Sequence, residues 1–410
     1  MFSRRVPDNL AGNRIAQAVE RVRATGRDII DLTESNPTRA GLRYPPDLLT
    51  PLADARGLTY TPHPFGLTDA RKAIAADYKR RAIEIPPDRI VLTASTSEAY
   101  SLVFKLLADP GDEVLVPRPS YPLFDHLARL DVVATRPYDL EYQSRWSIDL
   151  DSVERAMTSR TRALLVVNPN NPTGSFVRRR DLDNLAALCV QRKTASDERY
   201  DVAIVSDEVF ADYELEPGAS LEAGCLAERD DVLSFALGGL SKSVGLPQVK
   251  LGWMAIGGPD ALVVPALERL ELICDTYLSV STPVQAAAAE LLSRGTAVRE
   301  QIQARIAANY AQLTAAARSM PACRVLPAEG GWYAILQVPS LQSEEDLVID
   351  LLESDGVLTH PGYFFDFPQE SYLIVSLIVP EHAFAAAIHR VLRHFDCTTG
   401  RRASRPQTPR

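Results

Sequence analysis

Lys242 is the residue whose type and setting most clearly indicate chemistry. The sequence has only six lysines among its 44 basic residues, and Lys242 lies among small residues in the stretch 235–245. A lysine amine that is partly removed from water can lose its proton and attack an aldehyde, whereas an arginine stays protonated. The setting of Lys242 therefore indicates imine chemistry. For this residue taken alone, a solvated loop lysine is the alternative.

Two apolar runs with the character of buried parallel strands end in polar residues. Run 163–167 leads into the turn 168–174, Asn-Pro-Asn-Asn-Pro-Thr-Gly, where two prolines and a glycine stop the strand. Run 202–206 ends at Asp207. Ligands of open α/β sheets bind at the carboxyl ends of strands, so both ends are candidate ligand contacts. An Asp that only caps a turn is the alternative for Asp207.

The order and spacing of this turn, the strand ending in Asp207 and the pair Ser241-Lys242 resemble the class I/II aminotransferases, which are fold type I pyridoxal-phosphate-dependent enzymes. The resemblance covers nearly the whole chain. It implies an α/β fold, with a mostly parallel sheet in a large domain and a smaller α+β domain built from both termini. It also implies pyridoxal 5'-phosphate as the cofactor, and amino-group transfer between an amino acid and a 2-oxo acid by a ping-pong mechanism.

The resemblance and the composition along the chain predict four segments. Residues 1–45 are expected to join the small domain, 46–285 to form the large cofactor-binding domain, and 286–397 to form the small C-terminal domain. Residues 398–410 are basic and lack apolar side chains, so they are predicted to be a disordered tail. The polar stretch 191–200 is predicted to be a surface insertion.

The catalytic residues implied by the resemblance are Lys242 and Asp207. Lys242 would bind the cofactor covalently and act as the general base at the substrate α-carbon. Asp207 would pair with the protonated pyridine nitrogen and keep the ring electron-withdrawing. Asn171 would donate a hydrogen bond to the phenolic oxygen of the ring.

The expected phosphate site is the junction between the apolar run 90–92 and the helical pattern 99–107. Backbone N–H groups and the helix dipole at such a junction favour an anion. Simple helix capping is the alternative for these hydroxyls. The resemblance assigns the phosphate contacts to Ser95, Thr96, Ser97, Ser241 and Lys250, the last at a position where the family more often has Arg.

Two tyrosines complete the expected cofactor site. Tyr121 matches the aromatic residue that stacks on the cofactor ring, and Tyr60 matches the tyrosine that reaches the phosphate of the neighbouring subunit. Tyr60 therefore implies a homodimer with shared active sites. Packing in the core is the alternative for either ring.

Phe210 and Gly239 depart from the family pattern at the cofactor. Phe210 stands three residues after Asp207, where relatives have a tyrosine that also bonds the phenolic oxygen, so one donor is missing. Gly239 stands where many relatives have a hydroxyl near the phosphate. Weaker stabilisation of the phenolate is expected to raise the pKa of the imine formed with Lys242.

Ile374 is the departure that bears on the substrate. It occupies the position of the arginine that binds the substrate carboxylate in relatives, two residues before Ser376. Ser35 and Asn36 lie in the segment 31–37 that borders the pocket in relatives, and they are predicted to contact the substrate. Arg39 and Arg43 are possible substitutes for the missing arginine, although surface exposure is expected of both.

The composition narrows the classes of function. A net charge of −9 argues against a nucleic-acid partner, and no apolar run approaches the roughly 18 residues that a membrane span needs. Five scattered cysteines suggest neither a disulfide framework nor a metal site, and no signal peptide is visible, so a cytoplasmic location is expected.

Two other classes of enzyme share features with this sequence. A P-loop ATPase is rejected because its motif needs glycine where Ala236 and Ser241 stand. A pyridoxal-phosphate-dependent carbon–sulfur lyase, or another eliminating or decarboxylating relative, would use the same Lys242, Asp207 and Asn171. The loss of arginine at Ile374 keeps that alternative open.

Overall fold

The computed structural model describes residues 2–7, 10–190, 192–193 and 199–403. Most of the insertion 191–200 and the end of the basic tail, from residue 404, lie outside the described residues. The last helix is assigned as far as Ala403. No helix in the described part of the chain is long and apolar enough to cross a membrane.

Strands occur along the whole described chain. They are β1 Ile30–Asp31, β2 Ile90–Thr93, β3 Glu113–Arg118, β4 Ala134–Tyr142, β5 Trp146–Ile148, β6 Thr161–Val167, β7 Arg192–Lys193, β8 Arg199–Tyr200, β9 Ala203–Asp207, β10 Ser234–Gly239, β11 Gly252–Gly257, β12 Arg324–Leu326, β13 Tyr333–Gln337, β14 Val357–Leu358, β15 His360–Pro361 and β16 Tyr372–Ser376.

Helices cover both sheets. They are α1 Arg14–Ala24, α2 Thr68–Arg80, α3 Thr96–Leu107, α4 Phe124–Leu130, α5 Leu150–Ala156, α6 Arg179–Cys189, α7 Leu240–Ser243, α8 Asp260–Tyr277, α9 Thr282–Arg294, α10 Thr296–Arg318, α11 Glu344–Asp350 and α12 Glu381–Ala403.

The large sheet has eight strands in the order β2-β11-β10-β9-β6-β3-β4-β5. The central pairs from β10 to β4 are parallel, whereas β11 runs antiparallel to both of its neighbours. Alternate residues of β6 belong to different apolar clusters, with Leu164 and Val166 in one and Leu165 and Val167 in the other. Both faces of the strand are therefore buried, which explains its continuous apolar sequence.

The small sheet is antiparallel, in the order β12-β13-β16-β15. Helix α10 packs on α12 beside this sheet. The N-terminal strand β1 pairs in parallel with β14, so the start of the chain lies against its C-terminal part. The expected α/β architecture of a fold type I enzyme, with a large mostly parallel sheet, is confirmed.

Candidate active site

A cavity of about 320 Å³ lies at the carboxyl ends of β2, β6, β9 and β10. Parallel strands place their carboxyl ends at the same edge of the sheet, so residues distant in sequence meet there. Ten of the residues predicted from the sequence line this cavity: Ser35, Ser95, Thr96, Ser97, Tyr121, Asn171, Asp207, Phe210, Ser241 and Lys242.

Lys242 lies on the short helix α7, directly after β10. Its Nζ donates to the Ser35 carbonyl oxygen at 3.3 Å and lies 4.7 Å from the ring centroid of Trp332. Burial lowers the pKa of Lys242 to about 8, although the charges of Asp207 and Glu34 act in the opposite direction. An amine with this pKa is largely neutral just above pH 8, so it is available as a nucleophile or base.

Asp207 ends β9 and is buried. Its carboxylate accepts hydrogen bonds from the Tyr100 hydroxyl and the Val209 backbone N–H, both at 3.2 Å. Burial nevertheless raises the pKa of Asp207 to about 6. A cationic partner in the cavity would stabilise the carboxylate, so this position suits a protonated ring nitrogen.

Asn171 lies in the turn after β6 and is buried. Its Oδ1 has no hydrogen-bond partner within the described protein. A buried amide oxygen without a partner is unfavourable, and a ligand in the adjacent cavity would relieve this. Asn171 is therefore positioned to bind a polar group of a cofactor or substrate.

The N-terminus of α3 forms another wall of the cavity. Ser95 caps this helix, because its hydroxyl accepts from the Glu98 N–H at 3.2 Å. The free N–H groups of a first helical turn favour an anion. A Cβ added at Gly252 would lie 3.0 Å from Thr93 Oγ1, so this wall needs the bare backbone of glycine. The corner of the cavity between the N-terminus of α3 and Gly252 therefore suits a phosphate.

Together these groups fit pyridoxal 5'-phosphate. Lys242 offers an amine for the aldehyde, Asp207 a carboxylate for the ring nitrogen, Asn171 an amide for a ring oxygen, and α3 an anion site for the phosphate. The fit depends on four separate chemical groups that border one cavity.

The family is shown by comparison with known proteins. The model of the family "Aminotransferase class I and II" matches residues 27–390. This chain belongs to the class I and II aminotransferases. It is a pyridoxal-phosphate-dependent aminotransferase, as the sequence predicted.

Curated relatives of this aminotransferase carry different names. The alanine aminotransferase of Mycobacterium tuberculosis is 26% identical over 394 residues, covering 92% of this chain and 88% of that protein. The tyrosine aminotransferase of Homo sapiens is 27% identical over 392 residues, covering 91% and 83%. The solved alanine aminotransferase from Pyrococcus furiosus superposes with a TM-score of 0.84 at 24% identity, covering 97% of this chain and 100% of that one.

The loop after Lys242 is fixed by donors from three separate elements of the aminotransferase. The Tyr213 hydroxyl donates to the Lys242 carbonyl oxygen at 2.6 Å, and the Tyr44 hydroxyl donates to the Gly245 carbonyl oxygen at 2.7 Å. Arg299 Nε donates to the Ser243 carbonyl oxygen at 2.8 Å. These carbonyls belong to the end of a short helix, where intrahelical partners are missing.

Arg299 is itself held by two carboxylates. The buried guanidinium lies 3.3 Å from Asp77 and 3.6 Å from Asp212. Asp212 also pairs with Arg80. The long helix α10 thereby connects a buried ion network to the backbone that carries Lys242.

Four predicted site residues do not line the cavity. Tyr60 is 74% exposed, and Lys250 is exposed with a left-handed φ of 61°. The Asn36 side chain accepts from the Thr38 N–H at 3.1 Å and caps a short 3-10 helix. Ile374 is fully buried in β16, opposite Ile335.

Arg39 and Arg43 are exposed, as expected, and neither lines the cavity. The side chains that sequence reasoning missed are Tyr100 and Tyr333. Tyr100 faces Asp207 from helix α3, and its helical position gave no sign of that contact. Tyr333 follows two glycines and a tryptophan at the start of β13, a pattern that marks a strand but not the cavity it reaches.

Proposed function

We propose that the enzyme transfers an amino group between an amino acid and a 2-oxo acid by a ping-pong mechanism, with Lys242 as the proton carrier. The observation that carries this proposal is the pair formed by a half-buried amine of lowered pKa and a buried carboxylate at one cavity. Their environments suit opposite tasks, because Lys242 can release its proton and Asp207 can stabilise a cation.

Bound pyridoxal phosphate supplies an aldehyde that receives the amino group and a ring that withdraws electrons from the substrate α-carbon. Lys242 Nζ removes the proton from that α-carbon and later returns one. Asp207 holds a proton on the ring nitrogen, with its own position fixed by Tyr100. Asn171 would orient the ring by donating from its amide Nδ2 to the phenolic oxygen, while its Oδ1, which has no partner among the described residues, can accept from a donor group of the substrate.

The remaining proposed contacts hold the cofactor in place. Tyr121, which makes an edge-to-face contact of 5.7 Å with Phe124, would stack on the ring. Phe210 would border the ring with an apolar face. Ser95, Thr96, Ser97 and Ser241 would bind the phosphate. Lys250 is exposed and does not line the cavity, so it would add only a distant positive charge.

A homodimer with shared sites is part of the proposal. Tyr60 is 74% exposed and lines a surface hollow together with Tyr277, which is 55% exposed. Leu58, two residues before Tyr60, is 89% exposed. Exposed large apolar side chains at one surface are typical of a protein interface, and a second copy would cover them.

A cytoplasmic location is also proposed. It is supported by Cys225, Cys274 and Cys323, which form no disulfide among the described residues, since disulfides form mainly in oxidising compartments.

The amino donor is left open by the relatives, because proteins of similar identity are named for alanine and for tyrosine. A half-reaction screen tests the function directly. The cofactor-loaded enzyme is mixed singly with amino acids and amines, and absorbance is followed for loss of the aldehyde form and growth of the aminated form of the cofactor. Conversion by one class of donor is expected.

The screen also discriminates the alternative chemistry. Release of pyruvate, ammonia or carbon dioxide without amination of the cofactor would identify a carbon–sulfur lyase or decarboxylase and overturn the proposal. Both outcomes use Lys242, so only the products separate them.

A further inference from the structure

The cavity offers almost no positive charge for a substrate carboxylate. All residues that line it are described, and among them Lys242 is the only cation and Asp207 the only anion. Lys242 is required at the α-carbon in the proposed function. A carboxylate removed from water needs other donors, because burying it without partners is strongly unfavourable.

Among the hydroxyls that line the cavity, those of Ser35 and Tyr333 are not assigned to the cofactor or to the support of Asp207. The side chains lie beside each other, and the contact with Ser35 lowers the pKa of Tyr333 while burial raises it more strongly. The raised pKa keeps the phenol protonated, so Tyr333 remains a hydrogen-bond donor at neutral pH.

Tyr333 is held firmly. It begins β13, which lies between β12 and β16 in the small sheet. Its ring makes edge-to-face contacts with Phe210 at 6.3 Å and Phe365 at 6.2 Å, and its side chain is only 9% exposed. A donor fixed in this way loses little conformational entropy when it binds an anion.

Ser35 is fixed through the backbone of its segment. The Leu32 carbonyl oxygen accepts from the Ser376 N–H at 2.7 Å, and the Ser35 carbonyl oxygen accepts from Lys242 Nζ at 3.3 Å. Ser35 therefore lies between the small sheet and the reactive amine. Its side chain and that of Tyr333 line the same cavity as Lys242.

We propose that the hydroxyls of Ser35 and Tyr333 bind the carboxylate of the 2-oxo acid and of the amino acid, in place of a guanidinium. This inference rests on the proposed function, because it assigns the substrate end of the same site. The neighbouring charge of Glu34 acts on both Lys242 and Tyr333 and opposes the carboxylate. The site therefore disfavours substrates with a second carboxylate.

The test compares an acid with its amide. Propionate and propionamide are titrated against the cofactor-loaded enzyme, with the fluorescence of Trp332 beside Lys242 as the readout. Tyr333→Phe and Ser35→Ala are each expected to weaken propionate binding about ten-fold, the size of a lost hydrogen bond to a charged group, and to leave propionamide unchanged. The KM of a 2-oxo acid should rise with little change in kcat.

Two further variants complete the design. Glu34→Gln is expected to tighten propionate binding, whereas Tyr333→Phe and Ser35→Ala are expected to weaken it. Tyr363→Phe is the matched control, because its 38% exposed side chain contacts Glu345 and does not line the cavity. It should leave binding of both compounds unchanged, and thermal unfolding of each variant checks the fold.

Equal weakening of propionate and propionamide in Tyr333→Phe, or unchanged propionate binding, would overturn the assignment. The binding titration needs no turnover, so its outcome is separate from that of the half-reaction screen. An enzyme that binds propionate through Tyr333 but aminates no cofactor would refute the proposed function and retain the carboxylate site.

Discussion

The end of the cavity that holds Lys242 and the end that holds Ser35 are built by different means. Around Lys242, buried donors from distant parts of the chain hold three carbonyls of one short loop. Around Ser35, a short segment after a two-residue strand meets the aromatic residues of the small sheet. The reactive end follows a strand of the large sheet and is braced by donors outside that sheet, whereas the recognition end is assembled from segments far apart in the chain.

This difference matches what each end must do. Proton transfer needs an amine held to a fraction of an ångström, and a buried hydrogen-bonded loop provides this. Recognition depends on a few side chains, so it changes when those side chains change. The substrate end can therefore diverge without loss of the chemistry.

The largest effect is expected from removal of the amine. Lys242→Ala should lower the rate of cofactor amination by about 10²- to 10⁴-fold or more, because the variant has no proton carrier at the α-carbon. Stopped-flow absorbance measures the rate. Lys79→Ala removes a lysine that is 64% exposed and serves as the control. Full activity in Lys242→Ala would show that another residue carries the proton.

The next effect tests the bracing of the reactive end. Arg299→Met leaves Asp77 and Asp212 without their buried partner and should lower the free energy of unfolding by about 3–5 kcal/mol. Denaturant unfolding measures it. Arg23→Met breaks an exposed pair with Glu20 and should change it by less than about 1 kcal/mol. Similar losses in the free energy of unfolding for Arg299→Met and Arg23→Met would show that the ion network does not brace the loop.

A pH titration examines the same end. The pKa of Lys242 is lowered to about 8, so labelling of this amine in the cofactor-free enzyme should rise through about pH 8. The charge of Asp207 raises that pKa, so Asp207→Asn should move the midpoint to lower pH. Mass spectrometry of the labelled peptide gives the midpoint. A midpoint near that of an exposed lysine would contradict the burial of Lys242.

Phe210 lies between the two ends, since it lines the cavity and packs against Tyr333. Phe210→Tyr adds a hydrogen-bond donor near the phenolic oxygen of the cofactor. In the cofactor-loaded enzyme it should lower the pKa of the imine formed with Lys242 by about one unit. A spectroscopic pH titration measures it. An unchanged imine pKa would show that the side chain at position 210 does not affect the phenolic oxygen of the cofactor.

The smallest effect is expected within β16, opposite Tyr333. The buried Ser376 hydroxyl has no partner among the described residues, so Ser376→Ala should change the free energy of unfolding by less than about 0.5 kcal/mol. Asn309→Ala should cost more, about 1–3 kcal/mol, because it leaves the Leu377 and Val379 carbonyls unpaired. A larger loss for Ser376→Ala would show that its hydroxyl has a partner.

Local sequence patterns predicted the strands and the cavity residues correctly where an apolar strand ends in a polar residue. The runs 163–167 and 202–206 predicted β6 and β9, and the turn and Asp207 that follow them lie at the cavity. The last two strands of the large sheet, β4 and β5, were missed, because β4 mixes exposed and buried residues without a continuous apolar run. The domain boundaries stay predictions.

Contacts between distant residues could not be predicted from one sequence. Tyr213 and Arg299 reach the Lys242 loop from 29 and 56 positions away along the chain, and neither lies in a motif. In the sequence, Tyr333 cannot be distinguished from any other aromatic residue of a strand. Its place at the cavity follows from packing of the small sheet against segment 31–37, which depends on the whole fold.

The pairing of β1 with β14 sets an order for assembly on the ribosome. Ile30 and Asp31 cannot take their places until Val357 and Leu358 have been synthesised. The segment that carries Ser35 is made well before β14 but can be fixed only after β14 has been made, since long-range strand pairing waits for its partner. Strand β10, which leads to Lys242, is made before β14, so the recognition end is the later of the two ends to be completed.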